Sequence, residues 1–132
     1  MEKNKKTNIF LIDDDDFLLE IYAVKFKSSG FNVEVARGGE EALAKIKNGF
    51  LPEVILLDIL MPKMDGFEFL QALKENNMLD KFLFVVLSNK GQKDDMEKGK
   101  KFGVSEYIIK ANYTPSEVVE KVKDLLSKSN VK

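Results

Sequence analysis

Four short apolar runs in the sequence are each followed directly by polar side chains that could carry out chemistry. Two acids follow the first run, one acid the second, a hydroxyl the third and an amine the fourth: Asp13 and Asp14, Asp58, Ser88, and Lys110. If the runs are strands of one parallel sheet, their carboxyl ends share one edge and neighbouring strands lie about 5 Å apart. We therefore expect these side chains to converge within about 10 Å of one another.

The chemistry of such a cluster follows from the residue types. Carboxylates packed together raise one another's pKa unless a cation lies between them. With no Cys or His in the chain, that cation should be hard and oxygen-binding, so Mg²⁺ is predicted, with Mn²⁺ as the alternative. Lys110 would add a second positive charge. A carboxylate in this setting can attack phosphorus and form an acyl phosphate, while both cations stabilise the transferred oxygens.

The composition excludes several other classes of function. The chain has 132 residues with 21 basic and 22 acidic side chains, a net charge of −1, and neither Cys nor His. Disulfides, thiolate zinc sites and Ser–His catalytic triads are therefore excluded. The balanced charge gives no overall attraction to nucleic acid or anionic membrane, and no apolar run is long enough to span a bilayer. The sequence predicts a cytoplasmic protein without direct nucleic-acid or membrane binding.

The cluster needs a particular set of elements to position it. Short apolar runs alternate with segments of helical periodicity, and the five predicted strands are residues 9–12, 31–35, 54–57, 82–87 and 107–109. Leu18, Ile21, Tyr22 and Phe26 are predicted to form the buried stripe of the first helix, and Thr114 to Glu117 a capping box before the last. This alternation predicts a flavodoxin-like, doubly wound, five-stranded parallel sheet with helices on both faces.

Four motifs carry a resemblance to a known family. Phe10 to Asp15 reads FLIDDD, Val54 to Gly66 reads VILLDILMPKMDG, and VVLS and YIIK end on Ser88 and Lys110. Together they resemble the receiver domain of two-component response regulators, over residues 8–126. The whole chain, residues 1–132, is expected to be a single stand-alone receiver of the chemotaxis type with no output domain.

The resemblance implies a role for each site residue. Asp58 would accept a phosphoryl group from a histidine kinase or a histidine phosphotransfer protein. The metal would be held by Asp13, Asp14, Asp58 and the backbone carbonyl of Leu60. Ser88 and Lys110 would contact the phosphoryl oxygens, Ser88 and Tyr107 would form the switch, and Phe17 would dock the kinase.

The resemblance also implies how such a protein acts. It would be no enzyme beyond its own phosphorylation and dephosphorylation, and it would signal by changing its contacts with a downstream protein. We expect a monomer or a weak dimer, because three lysines make the face of the fourth helix basic: Lys98, Lys100 and Lys101.

Ala111 departs from the commonest pattern of the family, and Leu60 and Lys90 occupy two positions that vary within it. Ala111 follows Lys110 where receivers usually have a proline after a cis peptide bond. A cis bond at Ala111 would cost about 2.5–4 kcal/mol, so the loop is either trans and rerouted or strained. Leu60 and Lys90 flank the phosphorylation site at positions that influence hydrolysis in the family. We predict that they slow it, because Leu60 cannot orient an attacking water.

Two other functions remain open at this point. The first is a haloacid-dehalogenase-like phosphatase, since Asp13 to Asp15 also satisfies its Asp-x-Asp motif. That family needs another acid after the lysine, and Asp124 within the last helix is poorly placed for it. The second is a binding module of the same fold that is regulated without phosphorylation, which the departure at Ala111 leaves possible.

Overall fold

The computed structural model describes residues 6–89 and 93–129 and contains strands and helices in strict alternation. In chain order they are β1 (Asn8–Ile12), α1 (Asp16–Ser28), β2 (Asn32–Ala36), α2 (Gly39–Lys47), β3 (Val54–Leu57), α3 (Gly66–Glu75), β4 (Leu83–Ser88), α4 (Lys93–Phe102), β5 (Glu106–Ile109) and α5 (Pro115–Ser129). Single 3₁₀ turns precede β4 and follow β5. The predicted order of elements is confirmed.

All five strands are parallel, in the order β2-β1-β3-β4-β5. This is the flavodoxin-like doubly wound sheet, and the predicted fold class is confirmed. The four strands that carry polar residues at their ends are consecutive neighbours. In the register of the sheet Ile12 pairs with Leu57, and Leu57 pairs with Val86. The residues after β1 and β3 are therefore side by side.

The continuous apolar runs are explained by burial on both faces of the sheet, since alternate side chains of a strand point to opposite faces. On one face α2 and α3 pack on Phe10, Ile55 and Phe84. On the other face α1 and α5 pack on side chains such as Ile9 and Leu56. Every residue of β3 is buried. Such a strand places the residue that follows it at a fixed point of the edge.

Side-chain caps fix where three of the helices begin. The Asp15 carboxylate accepts a hydrogen bond from the backbone N–H of Leu18, at the start of α1. Asp65 forms a capping box with Glu68 at the start of α3. The predicted box at α5 is confirmed, since Thr114 and Glu117 each accept a hydrogen bond from the other's backbone N–H.

The predicted buried stripe of α1 is wrong in two residues. The structure buries Leu19, Tyr22 and Phe26, whereas Leu18 and Ile21 are only partly buried. The physical reason is that Leu19, Tyr22 and Phe26 are spaced three and four residues apart and share one face of the helix, from which Leu18 and Ile21 are turned by about 100°. The second strand also begins one residue later than predicted, at Asn32.

The helix α4 is the least buried element of the sheet's two covering layers. Gly99 is its only buried residue, as the sparse apolar pattern of this segment predicts. None of the helices in the described ranges has the length and apolarity needed to cross a bilayer.

Candidate functional site

The strands β1 and β3 place three carboxylates together at the carboxyl edge of the sheet. Asp13 and Asp58 are the residues directly after these strands, and both side chains are buried, whereas Asp14 is exposed. One carboxylate oxygen of each of the three lies within 4.8 Å of the others. The predicted convergence of these acids is therefore present in the structure.

Lys110 reaches the same pocket from the end of β5. Its Nζ donates a hydrogen bond of 2.7 Å to Asp13 Oδ2 and lies 3.6 Å from Asp58 Oδ2. The peptide bond between Lys110 and Ala111 is trans, since the described residues contain no cis bond, and residues Lys110–Asn112 form a 3₁₀ turn. Of the two predicted arrangements of this loop, the structure has the trans, rerouted one.

Backbone donors orient the two buried carboxylates. The N–H of Ile59 donates to Asp58 Oδ1 over 2.8 Å, and the N–H of Asp15 donates to Asp13 Oδ1 over 3.0 Å. In both residues the Oδ2 atom is the one near Lys110. One oxygen of each acid is thus held by the backbone, while the other faces the shared pocket.

The electrostatics of the pocket favour a bound cation. Burial and then the negative charge of Asp13 raise the pKa of Asp58 from 3.8 to about 6, against the opposing effects of Lys110 and the Ile59 N–H. Lys110 alone therefore does not neutralise the acids. Three oxygen donors, one of them exposed to solvent, suit Mg²⁺, which prefers one or two carboxylates together with water. The residues fit a hard divalent cation.

The pocket keeps the Lys110 amine protonated. Burial by itself lowers the pKa of this amine, but the hydrogen bond to Asp13 and the charges of Asp58 and Asp13 outweigh it. The net result is a pKa above the ordinary value for lysine. At neutral pH Lys110 therefore provides a fixed positive charge next to Asp58.

Ser88 and Tyr107 lie beside this pocket on neighbouring strands. Ser88 ends β4 and is fully buried, and its side chain is hydrogen-bonded to the Tyr107 hydroxyl. Tyr107 is partly buried in β5, where it pairs with Val86 in the register of the sheet. The two residues predicted as a switch are thus in direct contact.

The remaining predicted residues lie around the mouth of the site. Phe17, in the first turn of α1, is 71% exposed, and the Leu60 side chain is 56% exposed. Lys90, which was paired with Leu60 in the prediction on hydrolysis, lies outside the described residues.

Gly66 is a positioning residue that the sequence pattern did not reveal. A Cβ at Gly66 would lie 2.6 Å from the backbone oxygen of Asp58 and 2.9 Å from Ile59 Cα. The first turn of α3 therefore packs directly behind the acid that follows β3. The only signal in the sequence is the Asp65–Gly66 pair, which also reads as an ordinary helix start.

The sheet order and the place of the pocket put the chain in the class of flavodoxin-like α/β domains with a site at the carboxyl edge. The model of one family, the response regulator receiver domain, matches residues 9–123. The chain belongs to this family, as its motifs predicted. The general mechanism of the family is phosphorylation of an aspartate, and histidine kinases are the class of partner that membership implies.

Known proteins agree with this assignment. The alkaline phosphatase synthesis transcriptional regulatory protein PhoP of Bacillus subtilis is 32% identical over 97% of this chain and 51% of its own length. Solved receiver domains from Methanospirillum hungatei and Francisella are each 27% identical, with TM-scores of 0.83. The alignments cover 94% and 95% of this chain, and 96% and 100% of those chains. The chain spans about half the length of the curated relatives it matches.

Proposed function

We propose that Asp58 is the phosphoacceptor and takes a phosphoryl group from a phosphohistidine of a histidine kinase or a histidine phosphotransfer protein. One observation carries this proposal: Asp58 is buried, has two further carboxylates within 4.8 Å, and has the Lys110 amine at 3.6 Å. Asp14 is exposed, and Asp13 is held by Lys110. Asp58 is therefore the only one of the three that is both buried and not tightly paired with the lysine.

The transfer is a displacement at phosphorus. With Oδ1 fixed by the Ile59 N–H, Asp58 Oδ2 forms the new O–P bond while the P–N bond to the donor imidazole breaks. The imidazole nitrogen keeps the electron pair of that bond. The Lys110 amine balances charge on a phosphoryl oxygen, and the Ser88 hydroxyl donates to another. No general base is needed, because Asp58 is mainly ionised above pH 6.

The metal site is proposed at the same pocket. Asp13, Asp14, Asp58 and the backbone carbonyl of Leu60 would hold Mg²⁺, or Mn²⁺ in its place. A bound divalent cation supplies positive charge to the transferring phosphoryl oxygens.

Phosphorylation then changes the surface through Ser88 and Tyr107. A phosphoryl group adds about −1.5 to −2 charges at neutral pH. The Ser88 hydroxyl moves to the phosphoryl oxygens, which changes the environment of Tyr107 and α4. The output is a changed contact between this domain, as a monomer or a weak dimer, and a downstream protein in the cytoplasm. The domain has no enzymatic role beyond its own phosphorylation and dephosphorylation.

Kinase docking is proposed at the exposed side of α1. Phe17, Ile21 and Val24 lie at helical spacing, and Phe17 and Val24 are 71% and 63% exposed. Residues 111–114 form the neighbouring loop after Lys110. An apolar helical stripe of this kind suits packing against a partner helix.

A single experiment tests the proposal. The protein is incubated with acetyl phosphate, with Mg²⁺ or with a chelator, and its intact mass is measured. We expect one phosphoryl group to be added only with Mg²⁺, none in Asp58→Ala, and normal addition in Asp16→Asn, which alters an exposed acid nearby. Sustained hydrolysis of a phosphate ester by Asp58→Ala would favour the phosphatase, and an unmodified wild type would favour the unphosphorylated binding module.

A further inference from the structure

The loop between β3 and α3, residues 58–65, carries the backbone carbonyl that is proposed as a metal ligand. Within this loop Ile59 and Met61 are buried, while the Leu60 side chain between them is exposed. Beyond the loop, the Gly66 N–H donates to the Ile59 carbonyl over 2.9 Å. The first part of the loop is thus anchored in the core, and the turn that follows it decides where the Leu60 carbonyl lies.

That turn has a strained backbone. The Met64 N–H donates to the Pro62 carbonyl over 2.8 Å, and Lys63 between them has a φ of 70°. This is the left-handed region, which a residue with a side chain adopts only where the surrounding structure holds it there. The packing of the residues next to Lys63 must therefore stabilise the turn.

Gly39 makes a close contact with one of these residues. It is the first residue of α2 and is buried, and a Cβ on it would lie 2.8 Å from Met64 Cγ and 2.9 Å from the Met64 backbone oxygen. An ordinary contact of a Cβ is 3.4–4 Å, so any side chain here would push the Met64 backbone away by roughly half an ångström. A Cβ on Gly38 would meet nothing within 4 Å in the described part of the chain. The close approach is therefore particular to Gly39.

Such a displacement matters more for one cation than for another. Mg²⁺ requires near-octahedral geometry with oxygens at about 2.0–2.1 Å, whereas Ca²⁺ accepts variable geometry with oxygens at about 2.3–2.6 Å. Leu60 is four residues before Met64 on the same short loop, so its carbonyl shifts when the turn shifts. Groups that orient a metal ligand from behind it commonly change the metal affinity about 10–100-fold.

We propose that Gly39 is a positioning residue of the metal site and makes this site selective for Mg²⁺ over Ca²⁺. The inference rests on the proposed metal site of the three acids and the Leu60 carbonyl. Because α2 has no side chain at this point, it closes on Met64, holds the strained turn at Lys63 and keeps the Leu60 carbonyl in one position, as the smaller cation requires. A looser turn weakens this ligand for Mg²⁺, whereas Ca²⁺, with its longer bonds, tolerates the shift.

The dissociation constants for Mg²⁺ and for Ca²⁺ test this role. Each is obtained from the rise of the unfolding temperature with cation concentration, in the wild type, Gly39→Ala and Gly38→Ala. We expect Gly39→Ala to weaken the binding of Mg²⁺ about tenfold and that of Ca²⁺ by much less. Gly38→Ala should keep the wild-type ratio of the two constants, because its methyl meets open space.

The ratio of the two constants separates positioning from folding. If Gly39→Ala only unfolds at a lower temperature without cation and keeps the wild-type ratio, the proposal is overturned. A wild type that binds Ca²⁺ more tightly than Mg²⁺ would also overturn it. Should Gly39→Ala not fold, Met64→Ala removes the other side of the same contact and is expected to lose more affinity for Mg²⁺ than for Ca²⁺, and an unchanged ratio there would count equally against the proposal. A wild type whose stability responds to neither cation would instead overturn the proposed metal site, and the selectivity with it.

Discussion

At the scale of single residues, the resting pocket is organised around the position of one amine. Lys110 Nζ is 2.7 Å from Asp13 and 3.6 Å from Asp58, so its ion pair is mainly with Asp13 and not with the proposed phosphoacceptor. Asp58 is left buried with a raised pKa. Without a bound cation, the ionised form of Asp58, the proposed nucleophile, is therefore destabilised.

Because the pKa of Asp58 is raised, replacing this carboxyl with an amide is predicted to stabilise the folded protein, by an amount that depends on pH. The carboxyl has a pKa of about 6 in the folded chain and 3.8 as its ordinary value. The folded state thus binds more protons between these values, and the stability of the wild type falls as pH rises through this range. In chelator, Asp58→Asn should be more stable by on the order of 2 kcal/mol at pH 7.5.

The comparison at low pH checks the sign of this effect. At about pH 2.5, well below the ordinary pKa of 3.8, both states of the wild type are protonated, so the advantage of Asp58→Asn should disappear. Urea unfolding at the two pH values measures it, with the exposed Asp124→Asn as the control that gains nothing at pH 7.5. An equal advantage at both pH values would show that the effect is not the ionisation of Asp58.

Leu60 is expected to lengthen the life of the phosphorylated protein. Its exposed apolar side chain, two residues after Asp58, cannot orient a water for attack on phosphorus. We expect Leu60→Asn to speed loss of the phosphoryl group about tenfold, or about 1.4 kcal/mol in the barrier, as measured by the decay of the phosphorylated mass. Leu51→Asn replaces a similarly exposed leucine before β3 and should leave the lifetime unchanged. Equal lifetimes in all three proteins would refute the role of Leu60.

At the scale of elements, the site depends on how α3 begins. The capping box of Asp65 and Glu68 fixes the first residue of this helix, and the Gly66 N–H donates to the Ile59 carbonyl over 2.9 Å. The helix start is thereby bonded to the segment that carries Asp58. Any displacement of this first turn moves the proposed phosphoacceptor.

Gly66→Ala should therefore impair the site as well as the fold. The new methyl would overlap the Asp58 backbone, and overpacking of this kind costs about 1–3 kcal/mol. We expect a lower unfolding temperature and a slower gain of mass with acetyl phosphate. Gly38→Ala loses up to about 1 kcal/mol at the cap of α2 but meets open space, so it should be phosphorylated normally. A normal rate in Gly66→Ala would exclude this positioning role.

At the scale of the whole molecule, the net charge is only −1, but acidic side chains are concentrated at one edge of the sheet. The acids that follow β1 and β3 share one edge of the sheet, and they come from segments far apart in the chain. Folding brings them together against their mutual repulsion. Any cation that binds the folded pocket and not the unfolded chain will stabilise the fold by mass action.

Mg²⁺ should therefore raise the stability of the whole domain. At a concentration 100 times the dissociation constant, the gain is about 2.7 kcal/mol, seen as a higher unfolding temperature. Asp14→Asn should abolish the gain without unfolding the protein, because Asp14 is exposed. Asp16→Asn changes a nearby exposed acid that pairs with Arg37, and this variant should retain the gain in stability from Mg²⁺. Equal gains in both variants would place Mg²⁺ elsewhere.

Local patterns in the sequence determined the order of the elements and the acids at the strand ends. Periodicity, caps and apolar runs depend on residues a few positions apart, so they could be read directly. The first helix shows the limit of such reading, because tertiary packing buries Leu19, Tyr22 and Phe26 and leaves Leu18 and Ile21 only partly buried.

The tertiary structure decided which groups meet within the site. Lys110 and Asp13 are 97 positions apart, and the choice of Asp13 over Asp58 depends on strand order and on the turn after β5. The contact of Tyr107 with Ser88 depends likewise on the pairing of β4 with β5. Periodicity contains no information on such distant pairings, because burial and distance in three dimensions set their energies.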